Sequence, residues 1–282
     1  MSYTTLLSAA ELAPRLGSPD LVILDARFTL DDEDWGARAH AESHIPGAIH
    51  ANLATDLSGA IVPGRTGRRP LPTPEAFART LSGWGIGPGT QVVVYDAAGG
   101  LMAAARAWWL LRWAGHDRVA VLDGGWQAWR AAGLPVTAEP PVPAPQTFVL
   151  AHRPQFEIFV DEVDRIRRDP DWALFDSRSA EGFHGGGVYH DPVRGHIAGA
   201  RLANRADTLT PEGFFRPAAE LRAHFLALTG GLPAERVVFY CGSGVTAAQN
   251  LLAFHHAGLG DARHYVGSWS EWILDPAREI EL

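Results

Sequence analysis

The run Leu21-Val22-Ile23-Leu24-Asp25-Ala26-Arg27 recurs as Ala173-Leu174-Phe175-Asp176-Ser177-Arg178, with the two aspartates at an offset of 151. His44-Ile45-Pro46-Gly47-Ala48 returns as His196-Ile197-Ala198-Gly199-Ala200 at an offset of 152, and Asn52 maps onto Asn204 at the same distance. Further along, Val92-Val93-Val94-Tyr95-Asp96 matches Val237-Val238-Phe239-Tyr240-Cys241, and Gly124-Gly125-Trp126-Gln127-Ala128-Trp129 matches Gly267-Ser268-Trp269-Ser270-Glu271-Trp272. Blocks that recur in the same order at a near-constant offset mean two copies of one unit. The expected division is residues 1–138, a linker at 139–146 that overlaps the Pro-rich stretch Pro135 to Pro145, and residues 147–282.

Each copy alternates short apolar runs with helical patterns, which predicts βα units and a mainly parallel sheet flanked by helices. Strands are expected near 21–25, 91–95 and 119–122, and again near 172–176 and 236–240. Ser8-Ala9-Ala10-Glu11 reads as a capping box and Thr73-Pro74-Glu75 as a helix start; further helices are expected after Gly100, after Pro217 and over Val245 to Ala257. The Trp pairs at 126 and 129 and at 269 and 272 read as core.

Composition narrows the function. The 282 residues are 46% hydrophobic and 20% charged, with a net charge of −8, which describes a folded chain. All 24 basic residues are Arg and they form no basic stripe, so neither nucleic acid nor an anionic membrane is an expected partner. No apolar run approaches the length of a membrane span and the N-terminal stretch lacks a signal-peptide pattern, so cytoplasmic residence is expected. The single cysteine, Cys241, excludes an intramolecular disulfide and a Cys-rich metal site.

That cysteine opens the loop Cys241-Gly242-Ser243-Gly244-Val245-Thr246, set between an apolar strand and a helix. Open α/β sheets bind ligands at the carboxyl ends of their strands. Two glycines allow the backbone N–H groups to form a nest, and the following helix adds its positive end, so the loop favours an anion and a thiolate. A buried, inert cysteine is the bland alternative.

These residues resemble the tandem-domain rhodanese-like sulfurtransferases over nearly the whole chain. The resemblance implies two rhodanese-like α/β domains. The second carries a cysteine loop that accepts a sulfane sulfur as a persulfide; the first is non-catalytic, with Asp96 in the cysteine's place. The loop is similar to that of 3-mercaptopyruvate sulfurtransferases, whereas thiosulfate sulfurtransferases place basic residues where Gly242 and Ser243 stand. The implied reaction moves sulfur from 3-mercaptopyruvate, through Cys241, to a thiophilic acceptor such as cyanide, a thiol or a thiol protein. Thiosulfate is the alternative donor. No cofactor and no metal are implied. Loss of sulfur from mercaptopyruvate leaves an enolate-like carbon that needs a proton, and Ser243 offers an O–H beside Cys241 to relay one. Ser243 could equally close a turn through a bond to the backbone. Gly242, Gly244, Val245 and Thr246 are expected to hold the donor and the persulfide through their backbone.

The family places an arginine equivalent to Arg178 against the donor's carboxylate or sulfonate, a use to which the guanidinium fork is suited. Arg27 holds the same position in the first copy, so a structural ion pair is the competing reading. His44 and His196 recur in both copies and read as framework; His40 and His44 have zinc-like spacing but no Cys or acidic partners. The family's catalytic histidine falls at Arg69 in Gly67-Arg68-Arg69-Pro70-Leu71-Pro72, its aspartate at Asn52 or Ala54, and a further arginine at His184. Arg69 is thereby a candidate donor cation. Position 247 is Ala, so the Cys-x5-Arg loop of the related phosphatases is absent. A non-catalytic binding module is the remaining alternative, and would have no use for an activated thiol.

Overall fold

The computed structural model describes residues 2–97, 102–187 and 190–282. Two compact units divide the chain: Met1–Gly59, Pro72–Arg153 and Glu212–Phe214 form one, and Ala60–Leu71, Pro154–Pro211 and Phe215–Leu282 form the other.

In the first unit the order is β1 (Leu6–Leu7), α1 (Ala9–Leu12), β2 (Leu21–Asp25), α2 (Trp35–Glu42), β3 (Ile49–His50), α3 (Pro74–Gly83), β4 (Gln91–Tyr95), α4 (Ala103–Trp113), β5 (Val119–Leu122) and α5 (Gly125–Ala131). The strands form a parallel sheet in the order β1-β5-β4-β2-β3. β4 and β5 are buried along their whole length, which is why their apolar runs are continuous rather than alternating. The expected capping box is present: Glu11 N–H donates to Ser8 Oγ at 3.3 Å and Ser8 N–H to Glu11 Oε2 at 2.8 Å. Thr73 caps α3 with Pro74 in its first turn. The Pro-rich stretch is laid on this unit. Trp129 Nε1 donates to the Pro135 carbonyl at 2.9 Å, His44 N–H to Thr137 at 2.8 Å and Gln146 N–H to Ser82 at 3.0 Å.

The second unit contains α6 (Val160–Ile166), β6 (Ala173–Asp176), α7 (Ala180–Phe183), β7 (His196–Ile197), β8 (Arg201–Leu202), α8 (Ala218–Thr229), β9 (Val237–Tyr240), α9 (Ala247–His256), β10 (Arg263–His264), α10 (Ser268–Trp272) and β11 (Ile280–Glu281). Its parallel sheet runs β10-β9-β6-β8, and β11 pairs with β7 in antiparallel. Leu174, Val238, Tyr240, Tyr265, Trp269 and Trp272 build one core cluster against this sheet. In the first unit Trp129 is buried while Trp126 is half-exposed.

The repeat holds to the register. Asp25 lies opposite Tyr95 as Asp176 lies opposite Tyr240, and Asp25 opposite His50 as Asp176 opposite Leu202. No helix among the described residues is long and apolar enough to cross a membrane.

Candidate functional site

β9 is buried throughout and Cys241 follows it directly, so the sheet itself delivers the thiol to the carboxyl edge of its strands. Four bonds then fix the cysteine loop. Cys241 N–H donates to Ser268 Oγ at 3.1 Å, Trp269 N–H to the Cys241 carbonyl at 3.0 Å, and Ser270 N–H to the Gly242 carbonyl at 2.9 Å. The fourth, from Gly244 N–H, reaches Cys241 Sγ at 3.2 Å. Gly244 has φ +75°, and a side-chain carbon there would come within 2.2 Å of the Val266 carbonyl, so only glycine fits. Ser268, which receives the cysteine's amide, is itself held at φ +55°, and among the described residues no other non-glycine residue has a positive φ.

The Cys241 side chain is almost fully covered, at 1% exposure. Within the described residues no acceptor takes the N–H groups of Gly242, Ser243, Val245 or Thr246. Backbone donors without an internal partner are the condition for binding an anion. α9 begins at Ala247 rather than near Val245, which leaves Val245 and Thr246 in the loop. Ser243 is half-buried and its hydroxyl makes no hydrogen bond within the described residues.

The first unit answers the same geometry with a carboxylate. Asp96 follows β4 as Cys241 follows β9, and its Oδ2 accepts the Ala104 N–H of α4 at 3.1 Å. The anion is part of the chain there.

Arg178 sits at the end of β6 with Nε and Nη2 on the fully buried Asp176 carboxylate, Nη2 at 2.6 Å, and Nη2 also donates to the Gly195 carbonyl at 2.7 Å. Arg27 does the same with Asp25 and the Ser43 carbonyl. Tyr95 and Tyr240 complete each cluster by hydrogen bonds to the aspartates and by accepting the Ile45 and Ile197 amides; burial drives both phenols well above their usual range. These bonds therefore belong to a framework shared by both copies, whatever else Arg178 does. The histidines after those carbonyls are framework too. His44 bonds the His40 and Glu139 carbonyls, and His196 bonds the Phe183 carbonyl and stacks on Phe183 at 3.6 Å. His40 and His44 are stacked at 3.9 Å, and Asn52, like Asn204, turns the chain by accepting the amide two residues on.

In the second unit, residues 60–71 approach the cysteine loop through backbone. A side-chain carbon at Gly67 would lie 2.5 Å from the Gly267 carbonyl, and Arg68 N–H donates to Ser270 Oγ at 3.0 Å. Arg68, the neighbour of the singled-out Arg69, brings its guanidinium to the loop: Nη2 lies 3.3 Å from where a side-chain carbon at Gly242 would be. The same Nη2 pairs with Asp191 Oδ2 at 3.2 Å. Burial pushes the Asp191 carboxyl up, with Arg68, Arg178 and His190 pulling the other way. Arg69 is half-buried, and His184 is exposed on the edge of Phe183. Sequence reasoning also passed over Arg205, whose backbone is tied to Ser177 and to Gln249 of α9, the helix after the cysteine loop. Its signal was available, since Arg205 directly follows the repeated Asn204 and stands where the first copy has Leu53.

Comparison with known proteins gives a concordant result. The model of the rhodanese-like domain matches residues 8–132 and 159–275. The chain is 46% identical to a probable 3-mercaptopyruvate sulfurtransferase from Pseudomonas aeruginosa, over 99% of both chains. It is 37% identical to a putative thiosulfate sulfurtransferase, SseB, from Mycobacterium tuberculosis, over 98% of this chain and 96% of that one. The crystal structure of SseA from Escherichia coli, a 3-mercaptopyruvate sulfotransferase, superposes with a TM-score of 0.79 at 32% identity, covering 95% of this chain and all of that one.

Proposed function

The chain belongs to the rhodanese-like domain family and is a sulfurtransferase, and on that footing we propose that it takes sulfur from 3-mercaptopyruvate through a Cys241 persulfide. The observation that carries this reading is the cysteine loop: a covered Sγ that accepts the Gly244 N–H, in a loop whose other four N–H groups have no acceptor within the described residues.

The reaction is a double displacement. The Cys241 thiolate attacks the donor's sulfur, an S–S bond forms and the donor's C–S bond breaks, its electrons passing to the carbon as an enolate. The Ser243 hydroxyl, which makes no hydrogen bond within the described residues, relays a proton to that carbon and pyruvate leaves. The outer sulfur of the persulfide is held by the loop N–H groups. An acceptor thiolate, on a small molecule or on a protein, or cyanide then attacks that sulfur, and Cys241 is released as thiolate. The thiol must stay reduced between turnovers, which suits the cytoplasm.

Arg68 favours a second donor. The loop carries no cation of its own, yet the Arg68 guanidinium meets it at Gly242, where thiosulfate's charge and the departing sulfite would be stabilised. Steady-state rates with the two donors side by side decide between them. A higher kcat/KM for mercaptopyruvate is expected, and Ser243→Ala should lower it more than the thiosulfate value, because sulfite leaves without needing a proton. A wild-type preference for thiosulfate, abolished in Arg68→Gln, would reverse the assignment.

A further inference from the structure

Superposing the registers of the two copies places Leu53 and Arg205 at one position. β3 and β8 pair identically with β2 and β6, the amide of Ala51 bonds the Asp25 carbonyl as that of Ala203 bonds Asp176, and Asn52 and Asn204 make the same turn. Leu53 is buried core at 3% exposure. In the copy that carries the cysteine, that core residue has become an arginine, as Asp96 has become Cys241.

The arginine is anchored at its backbone. Its N–H donates to the Ser177 carbonyl at 3.4 Å, and its carbonyl accepts Thr208 Oγ1 at 2.7 Å and Gln249 Nε2 at 2.9 Å. Gln249 lies in the first turn of α9, the helix that follows the cysteine loop, so Arg205 is tied to the element that carries the site. Its guanidinium has no carboxylate partner within the described residues. The guanidinium is half-buried; burial lowers its proton affinity, and Cys241 as a thiolate opposes this. Desolvating a cation that stays protonated is costly unless something pairs with it. Leu53 shows that filling this position does not require charge. Other cations near the site are already paired, Arg178 with Asp176 and Arg68 with Asp191.

We propose that Arg205 is the donor-anion residue of the second unit, binding the donor's carboxylate or sulfonate-type end while Cys241 attacks its sulfur. This rests on the sulfurtransferase reading, but it is a statement about charge beside Cys241 and is tested without any sulfur donor. The rates of Cys241 alkylation by iodoacetate, an anion, and by neutral iodoacetamide are measured at one pH on the full chain. Their ratio cancels the thiolate fraction and the intrinsic reactivity of the sulfur, so a merely structural change moves both rates and leaves it alone.

Arg205→Gln should lower the iodoacetate-to-iodoacetamide ratio about tenfold, the scale expected for one unpaired charge acting across a partly desolvated site. Arg205→Lys should restore most of it, and Arg205→Leu, the residue of the first copy, should behave as Arg205→Gln. kcat/KM for the donor should fall in the same order across the three variants. A ratio in Arg205→Gln within twofold of wild type, with Cys241 still alkylated, overturns the proposal. Absence of wild-type turnover with either donor would overturn the sulfurtransferase reading instead, and the ratio would still decide the anion site.

Discussion

Arg178 and Arg27 hold the same bonds in units with different sites, which separates framework from function at single residues. Removing either arginine strands a fully buried aspartate, Asp176 or Asp25, whose burial the guanidinium compensates. Breaking a buried pair in this way costs about 3–5 kcal/mol. Arg27→Ala and Arg178→Ala are therefore expected to lower the unfolding free energy by similar amounts, read by denaturant titration. If Arg178→Ala leaves stability intact and removes only turnover, Arg178 serves the donor alone. The sequence shows both arginines after their aspartates, but their partners depend on a strand register that no spacing displays. The same limit hid Arg68: in Gly67-Arg68-Arg69-Pro70 two adjacent arginines are equivalent as letters, and only the docking of Arg68 N–H on Ser270 selects the one that meets Gly242. Arg205 was legible in principle, because it breaks the repeat one residue after Asn204.

At the scale of elements, the strands were the most readable part. Continuous apolar runs become buried parallel strands at 21–25, 91–95, 119–122, 173–176 and 237–240, because a strand covered on both faces has no polar side to confuse its pattern. The start of α9 was not: Val245 and Thr246 suit a helix as well as a loop, and what keeps them out is the turn forced by Gly244 against the Val266 carbonyl. Gly244→Ala puts a methyl 2.2 Å from that oxygen at φ +75°. Loss of more than about 1 kcal/mol of stability is expected from the backbone conformation alone, together with loss of most turnover, since the Gly244 N–H is the one that meets Sγ. An active, equally stable Gly244→Ala would show that the loop does not need this geometry. Asp96 makes the reverse case. Its carboxylate satisfies Ala104 N–H within its own unit, so Asp96→Ala should cost about 1 kcal/mol of stability and leave sulfur transfer largely intact, measured on the full chain.

For the whole molecule, the repeat announced two related units, and the register pairs Asp25 with Tyr95 and Asp176 with Tyr240 confirm their common plan. Segments 60–71 and 212–214 were not assignable from sequence order, because membership of a compact unit follows packing. The copies differ by a few exchanges on that plan, Asp96 for Cys241 and Leu53 for Arg205 among them, and the proposed chemistry rests on these two. The most direct test of that account is the intact mass of the full chain after reaction with mercaptopyruvate and no acceptor. The account predicts a gain of one sulfur, about 32 Da, as a covalent intermediate held on the enzyme requires. The gain should vanish on adding cyanide, with release of thiocyanate, and should not occur in Cys241→Ser. An unchanged wild-type mass during turnover, or the same gain in Cys241→Ser, would contradict it.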